Sequence, residues 1–180
     1  MNYRLRDATA KDQPALERLI ARSARELSAQ DYSPQQIEGA LRGAFGVDSQ
    51  LIRDGTYFVV ETEGQLVGCG GWSRRRTLFG SDAHSQRDAA ELDPARDAAK
   101  IRAFFVDPAH ARRGVGRTIL EHCEAQARSH GFSRFELMAT LPGVRLYQAY
   151  GYVAGSPCHH QVGCGVTIEF LPMSKSALDA

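Results

Sequence analysis

Three arginines and two glycines fall within one short run, Arg112-Arg113-Gly114-Val115-Gly116-Arg117. Such a run can hold an anion. Gly114 and Gly116 place no Cβ between a ligand and the backbone. A helix starting here adds N–H groups without intrahelical partners and the positive end of its dipole. The chemistry is the binding of a phosphate or pyrophosphate. The same residues also fit a surface turn with solvated arginines, and a lone G-x-G does not decide between the two. No Gly-Lys-Ser/Thr follows, so this is not a nucleotide P-loop. The third glycine of a dinucleotide fingerprint is absent, and the run lies far into the chain.

The flanking residues supply the elements that must position this run. Ile101 to Val106 is a short apolar stretch broken only by Arg102 and stopped by Asp107-Pro108, which reads as a buried strand. Val115, Ile119, Cys123 and Ala127 recur every four residues and define the apolar stripe of a helix. Glu124 precedes Arg128 in the favourable i,i+4 order, and Gly131 is a natural stop. The order is therefore strand, glycine-rich turn, helix.

The stretch FFVDPAHARRGVGRTIL resembles the acyl-CoA-binding motif of the GNAT superfamily of N-acetyltransferases. There a strand ends in V-x-P, and a loop of the form Arg/Gln-x-x-Gly-x-Gly/Ala enters a helix. The segment RLYQAYGY, Arg145 to Tyr152, is similar to a later helix of that family carrying L-Y-x-x-x-G-F/Y. The two matches stand in the family's order and at about its spacing. The resemblance covers roughly residues 3 to 175, although the loop from Arg74 to Asp97 has no counterpart.

What the resemblance implies is a single GNAT-like domain over residues 1–180 of α/β (α+β) class. Its mixed, mostly antiparallel sheet would have about seven strands flanked by about four helices, with splayed central strands. Acetyl-CoA would be the co-substrate, with no metal. Its pantetheine arm would pair with backbone groups of Phe104, Phe105 and Val106. The turn through Arg112, Arg113, Gly114, Val115, Gly116 and Arg117 would hold the pyrophosphate, with Thr140 a further contact. The implied reaction is direct transfer of an acetyl group to a primary amine of a small-molecule or peptide acceptor. Tyr147 falls on the family's general-acid position, to protonate the leaving thiolate; Tyr150 and Tyr152 compete with it.

The chain departs from the family pattern in three places. Ala111 stands where the family has Arg or Gln; Arg112 or Arg113 can supply that charge but not its geometry. Thr140 stands at a frequent Asn, and still donates and accepts a hydrogen bond. A catalytic Glu that some members carry falls near Lys100. Glu61, Glu91, Asp97 or His84 acting through water are the remaining candidates for a base. A non-catalytic acyl-CoA-binding or sensing module on the same fold is the alternative reading.

The rest of the chain is read in order. Tyr3 to Ala8 reads as a first strand. Helices are expected after Thr9-Asp12 and after Ser33-Pro34, on the acceptor side of the cleft by resemblance. Gly43 to Asp54 reads as a linker. Thr56–Glu61 and Gln65–Trp72 form a hairpin about Glu63-Gly64. Gly68, Gly70 and Gly71 mark a bulge or a close approach, and the single tryptophan, Trp72, reads as core. The long Arg74–Asp97 connection should hang over the cleft and govern acceptor recognition. Arg74-Arg75-Arg76 reads as a solvated face rather than a nucleic-acid site. Arg134–Ala139 is a strand, Val144–Tyr150 a short helix, and Tyr152–Met173 two strands. Cys158, His159, His160 and Cys164 do not follow a zinc spacing, so a hairpin with buried cysteines is expected.

Composition fits this reading. The 180 residues are 43% hydrophobic and 24% charged, with net charge +1, so no basic field argues for nucleic acid or an anionic membrane. No apolar run reaches the length of a membrane span. A cytoplasmic protein with reduced thiols is expected, and a homodimer is left open.

Overall fold

A computed structural model describes residues 2–83 and 88–176. The strands are β1 (Arg4–Asp7), β2 (Tyr57–Thr62), β3 (Gln65–Ser73), β4 (Ala99–Val106), β5 (Arg134–Ala139), β6 (Val153–Ala154), β7 (Cys158–Gly163) and β8 (Val166–Ser176). The helices are α1 (Gln13–Leu27), α2 (Pro34–Ala40), α3 (Ser49–Arg53), α4 (Val115–Ser129) and α5 (Val144–Ala149). One sheet runs β1-β2-β3-β4-β5-β8-β6, with β7 also paired to β8. Among the described strands only β4 and β5 pair in parallel. This is the mixed, mostly antiparallel α/β architecture expected.

The alternation of β2 explains the two layers. Phe58 and Val60 enter one core with Trp72, Ile119, Leu120 and Phe135. Tyr57 and Val59 enter the other with Leu16, Ile20, Ile37 and Leu51. A strand buried on both faces must be apolar throughout, as YFVV is. Gly68 and Gly70 let the helix and the neighbouring strand close in. A Cβ on Gly68 would lie 2.3 Å from a Val115 methyl, and one on Gly70 would lie 2.7 Å from the Phe104 ring.

The helix starts follow the caps. Ser33 and Gln36 form a reciprocal capping box ahead of Pro34, with Gln36 N–H donating to Ser33 Oγ and Ser33 N–H to Gln36 Oε1. At Thr9 Asp12 takes the place of the box's Glu or Gln and accepts from both the backbone N–H and the hydroxyl of Thr9.

The structure corrects the sequence reading at four points. The Tyr152–Met173 region, expected as two strands, carries three among the described residues, because Ser156-Pro157 divides one edge run into β6 and β7 ahead of β8; proline has no N–H for the ladder. Gly43–Asp54 is not only a linker: Asp48 accepts from Gln50 N–H and Leu51 N–H and starts a helix of its own, α3. That helix is too short to show a period, so only its cap could have revealed it. Arg74 and Arg75 are not a solvated face. Arg75 makes a two-pronged pair with Asp54, at 2.7 and 2.9 Å, and Arg74 approaches Glu91 at 3.5 Å. Of the two cysteines expected to be buried in the β7–β8 hairpin, Cys158 is half-buried and Cys164 is exposed in the turn. Trp72 is fully buried, as expected, packing against Phe132.

Candidate active site

The site begins with a fault in β4. Cys69 pairs with Phe105 and Gly71 with Arg102, so Ala103 and Phe104 together face Gly70. This is a β-bulge. Ala103 takes a left-handed backbone, φ 59°, and its carbonyl accepts from the Tyr57 hydroxyl at 3.3 Å. A non-glycine residue held there marks strain that the surroundings must support. The bulge bends β4 away from β5, and their pairing stops at Ile101 and Leu137. Beyond that point a wedge opens between the two strands.

The backbone lining this wedge follows from register. Asp107 N–H donates to Val67 O, so Asp107 and Phe105 turn their polar groups towards β3. Phe104 and Val106 therefore turn theirs into the wedge. This revises the expectation for Phe105, whose backbone is taken up by Cys69; only its ring faces the cavity. The Val106 N–H already donates to Ser23 Oγ of α1 at 3.2 Å.

The turn after β4 carries two left-handed residues, Arg112 at φ 62° and Gly114 at φ 87°. Gly114 is the N-cap of α4. The first intrahelical bond is Thr118 N–H to Gly114 O, at 2.9 Å. The N–H groups of Val115, Gly116 and Arg117 therefore lie ahead of the ladder, at the positive end of a fifteen-residue helix. A Cβ on Gly116 would stand 3.2 Å from Leu146 and 3.7 Å from Val106, so this glycine keeps α4, α5 and β4 close together.

Wedge and turn form one continuous groove of about 550 Å³. Phe104, Phe105 and Val106 line it at one end, and Arg112, Gly114, Val115, Gly116 and Arg117 at the other. Thr140 and Tyr147 lie along the same groove. Arg113 is exposed and does not line it. Sequence reasoning missed Ser23 and Ser28, which line the α1 wall, and Arg145. Ser23 falls on the apolar face of α1 near Leu19 and Ile20, and a small polar residue there was the available signal. Arg145 carried none.

Tyr147 is 8% exposed, and its ring meets Phe104 and Tyr152 edge-on. Burial pushes its phenol pKa well up, and the buried Cys123 thiol raises it further. Its hydroxyl makes no hydrogen bond to another described residue. Tyr150 lines the groove, but its hydroxyl donates to Glu121 at 3.1 Å, and Glu121 also holds Arg117. Tyr152 is buried away from the groove.

A second, smaller cavity of about 60 Å³ meets the groove at Phe45, Phe104, Phe105, Thr140 and Tyr147. Its far walls are Phe79, Met138 and Phe170. The candidate bases are not there. Glu61 pairs with Arg6, Glu91 with Arg74 and Arg75, and Asp97 accepts from Asp93 N–H. None of the three lines either cavity. His84 lies outside the described residues. Lys100 pairs with Glu136. Among the described residues no group of three His, Cys, Asp or Glu side chains could hold a metal ion.

No curated protein sequence matches this chain. Among solved structures it is similar to a GCN5-related N-acetyltransferase from Rhodopseudomonas palustris, with 20% identity and TM-score 0.72, over 98% of this chain and 96% of that one. It is also similar to the PaiA N-acetyltransferase from Thermoplasma acidophilum in complex with coenzyme A, at 14% identity and TM-score 0.66, over 98% and 99% of the two chains. A third is the ribosomal-protein-S18-alanine N-acetyltransferase from Escherichia coli, at 14% identity and TM-score 0.62, over 98% and 94%. These likenesses concern the fold. Residues 17–152 match the model of the acetyltransferase (GNAT) family. The chain belongs to that family, whose enzymes move an acetyl group from acetyl-CoA to an amine.

Proposed function

We propose that the groove takes acetyl-CoA and that the small cavity takes the amine, with Tyr147 at their junction as the acid. One observation carries this: Tyr147 lies where the two cavities meet, and the α4 N-terminus opens at the far end of the larger one. The free N–H groups of Val115, Gly116 and Arg117, with Arg112 beside them, suit the pyrophosphate. Phe104 offers backbone groups to the amide-bearing arm, as does Val106 if Ser23 Oγ gives way. Thr140 lies on the opposite wall.

The amine nitrogen attacks the acetyl carbonyl, the C–N bond forms and the C–S bond breaks. The sulfur takes the Tyr147 proton, and the proton shed by nitrogen restores the phenol. A phenol is ordinarily about 1.5 pKa units weaker than a thiol, about 10 against about 8.5. Burial makes Tyr147 weaker still, but a thiolate leaving inside the same dry groove is destabilised for the same reason. The raised pKa keeps Tyr147 protonated as pH rises, so turnover should not fall through loss of this acid until above the ordinary tyrosine range.

The four cysteines are unpaired, which supports a cytoplasmic setting.

CoA release from acetyl-CoA in the presence of simple primary amines tests the reading. Tyr147→Phe keeps the ring and deletes the acid. It should lower turnover on the order of 10²-fold and leave acetyl-CoA affinity unchanged. Near-normal turnover would remove Tyr147 from the role and move attention to Tyr150.

A further inference from the structure

We infer that α1 is a recognition wall for the donor's arm. Ser23 and Ser28 offer their hydroxyls to the amides of the pantetheine, and Ser23 does so while still holding the Val106 N–H. This rests on the acetyl-CoA reading of the groove and names contacts which that reading leaves open.

α1 is tied down at both ends of the groove. At the turn, Arg22 donates to Asp107 at 3.0 Å. Past the other end, Tyr32 N–H donates to Ser28 O, and the Tyr32 hydroxyl accepts from Leu141 N–H at 2.9 Å, next to Thr140. The helix therefore runs from the glycine turn towards the Thr140 wall. Ser23, Ala24, Leu27 and Ser28 line the groove between these ties.

Two of those four residues are serines, and they are only 4% and 5% exposed. Leu16, Leu19, Ile20 and Ala24 make the rest of the buried face of α1 apolar. A buried hydroxyl on such a face costs stability unless it is hydrogen-bonded. Ser23 Oγ accepts from Val106 N–H at 3.2 Å. That bond leaves the hydroxyl's own proton to donate. A helical serine can spend this proton on the carbonyl four residues back. Ser23 does not donate to Leu19 O or to another acceptor among the described residues. The Ser28 hydroxyl likewise bonds to no described residue, although the Ser28 backbone is engaged with Ala24, Asp31 and Tyr32.

The arm of an acyl-CoA suits this wall. It is uncharged and carries two secondary amides separated by methylenes. The serines are five residues apart, about 7.5 Å along the helix axis, with Ala24 and Leu27 between them for the methylenes. A carbonyl of the arm beside Ser23 completes a chain from the Val106 N–H through the hydroxyl to the ligand, and linked hydrogen bonds polarise one another. Val106 then acts through Ser23 without being released from it.

Calorimetry with three probes tests this on the full chain: CoA, phosphopantetheine, and ADP, which has the pyrophosphate but no arm. Ser23→Ala should weaken CoA and phosphopantetheine alike, by about threefold to tenfold, and leave ADP within about twofold of wild type. Ser28→Ala should show the same selectivity for arm-bearing probes. Ser23→Thr keeps a hydroxyl and should hold CoA close to the wild-type value. Because these contacts are present before and during acetyl transfer, Ser23→Ala should raise KM for acetyl-CoA and leave kcat nearly unchanged. CoA binding as tightly or more tightly to Ser23→Ala would overturn the inference, since Ser23 would then only fill in for the ligand. Equal losses for all three probes would also overturn it, by making the serines structural. Wild type that binds none of the probes would instead remove the acetyl-CoA reading, and the inference with it.

Discussion

The two cavities that meet at Tyr147 are built by opposite means. The groove is mainly backbone: a bulged strand that leaves Phe104 and Val106 facing a wedge, and a helix N-terminus opened by a left-handed Gly114. The small cavity is mainly side chains brought from the segment before α3, the 74–97 connection, β4, β5 and β8. On the proposed assignment, backbone geometry recognises what every CoA ester shares, and side chains recognise what differs among amines. The difference shows how one scaffold keeps its donor while the acceptor side is rebuilt.

Arg102 is where that contrast can be broken most severely. It joins β4 beside the bulge, the cap of α3 and the carbonyls of the 74–97 connection. Arg102→Met leaves Asp48 buried with its cation removed, which should cost about 3–5 kcal/mol of stability. Unfolding by denaturant measures this. In the folded fraction, amine KM should rise while acetyl-CoA affinity holds, because β4 still pairs with β3 through Phe105 and Cys69. Equal damage to both affinities would mean that the two sides are not separable.

Gly116→Val probes the backbone side. Its branched side chain would press on Leu146 and Val106, both bordering α4 where the groove must stay open. Acetyl-CoA at a hundred times its Kd should stabilise the wild type by about 2.7 kcal/mol. For a chain of this size that is a thermal shift of about 5–10 °C. The variant should fold and lose this shift; equal shifts would count against the phosphate end of the groove.

The smallest effect is expected at neighbouring arginines. Arg112 lines the groove and Arg113 does not. Arg112→Ala should weaken acetyl-CoA binding by several-fold, more at low salt, as befits an exposed charge. Arg113→Ala should change it by less than about twofold, since surface substitutions are mostly near-neutral. Calorimetry at two salt concentrations distinguishes them, and equal losses would show that net charge, rather than position, holds the phosphates.

Much of this was legible in the sequence because it was local. The strand stop at Asp107-Pro108, the glycine turn and the four-residue apolar period of α4 are set by neighbours in the chain. The hairpin about Glu63-Gly64 and the cap at Ser33-Pro34 were legible for the same reason. Other features had no local signal. α3 is a single capped turn with one buried leucine. Arg75 looked like a solvated charge because its partner, Asp54, lies far from it in the chain.

Residue type and short spacing were enough for most of the element order, for the glycine turn ahead of α4 and for the tyrosine in LYQAYGY. Which backbone groups face the wedge emerges only in the folded sheet, because a bulge changes register without changing composition. The fold also sets that Ser23 holds the Val106 N–H and that Arg113 does not line the groove. It placed Phe45, Phe79, Met138 and Phe170 around one cavity with none of the candidate carboxylates. Long-range packing sets those contacts: the rings lie far apart along the chain, and only the closed sheet makes them neighbours.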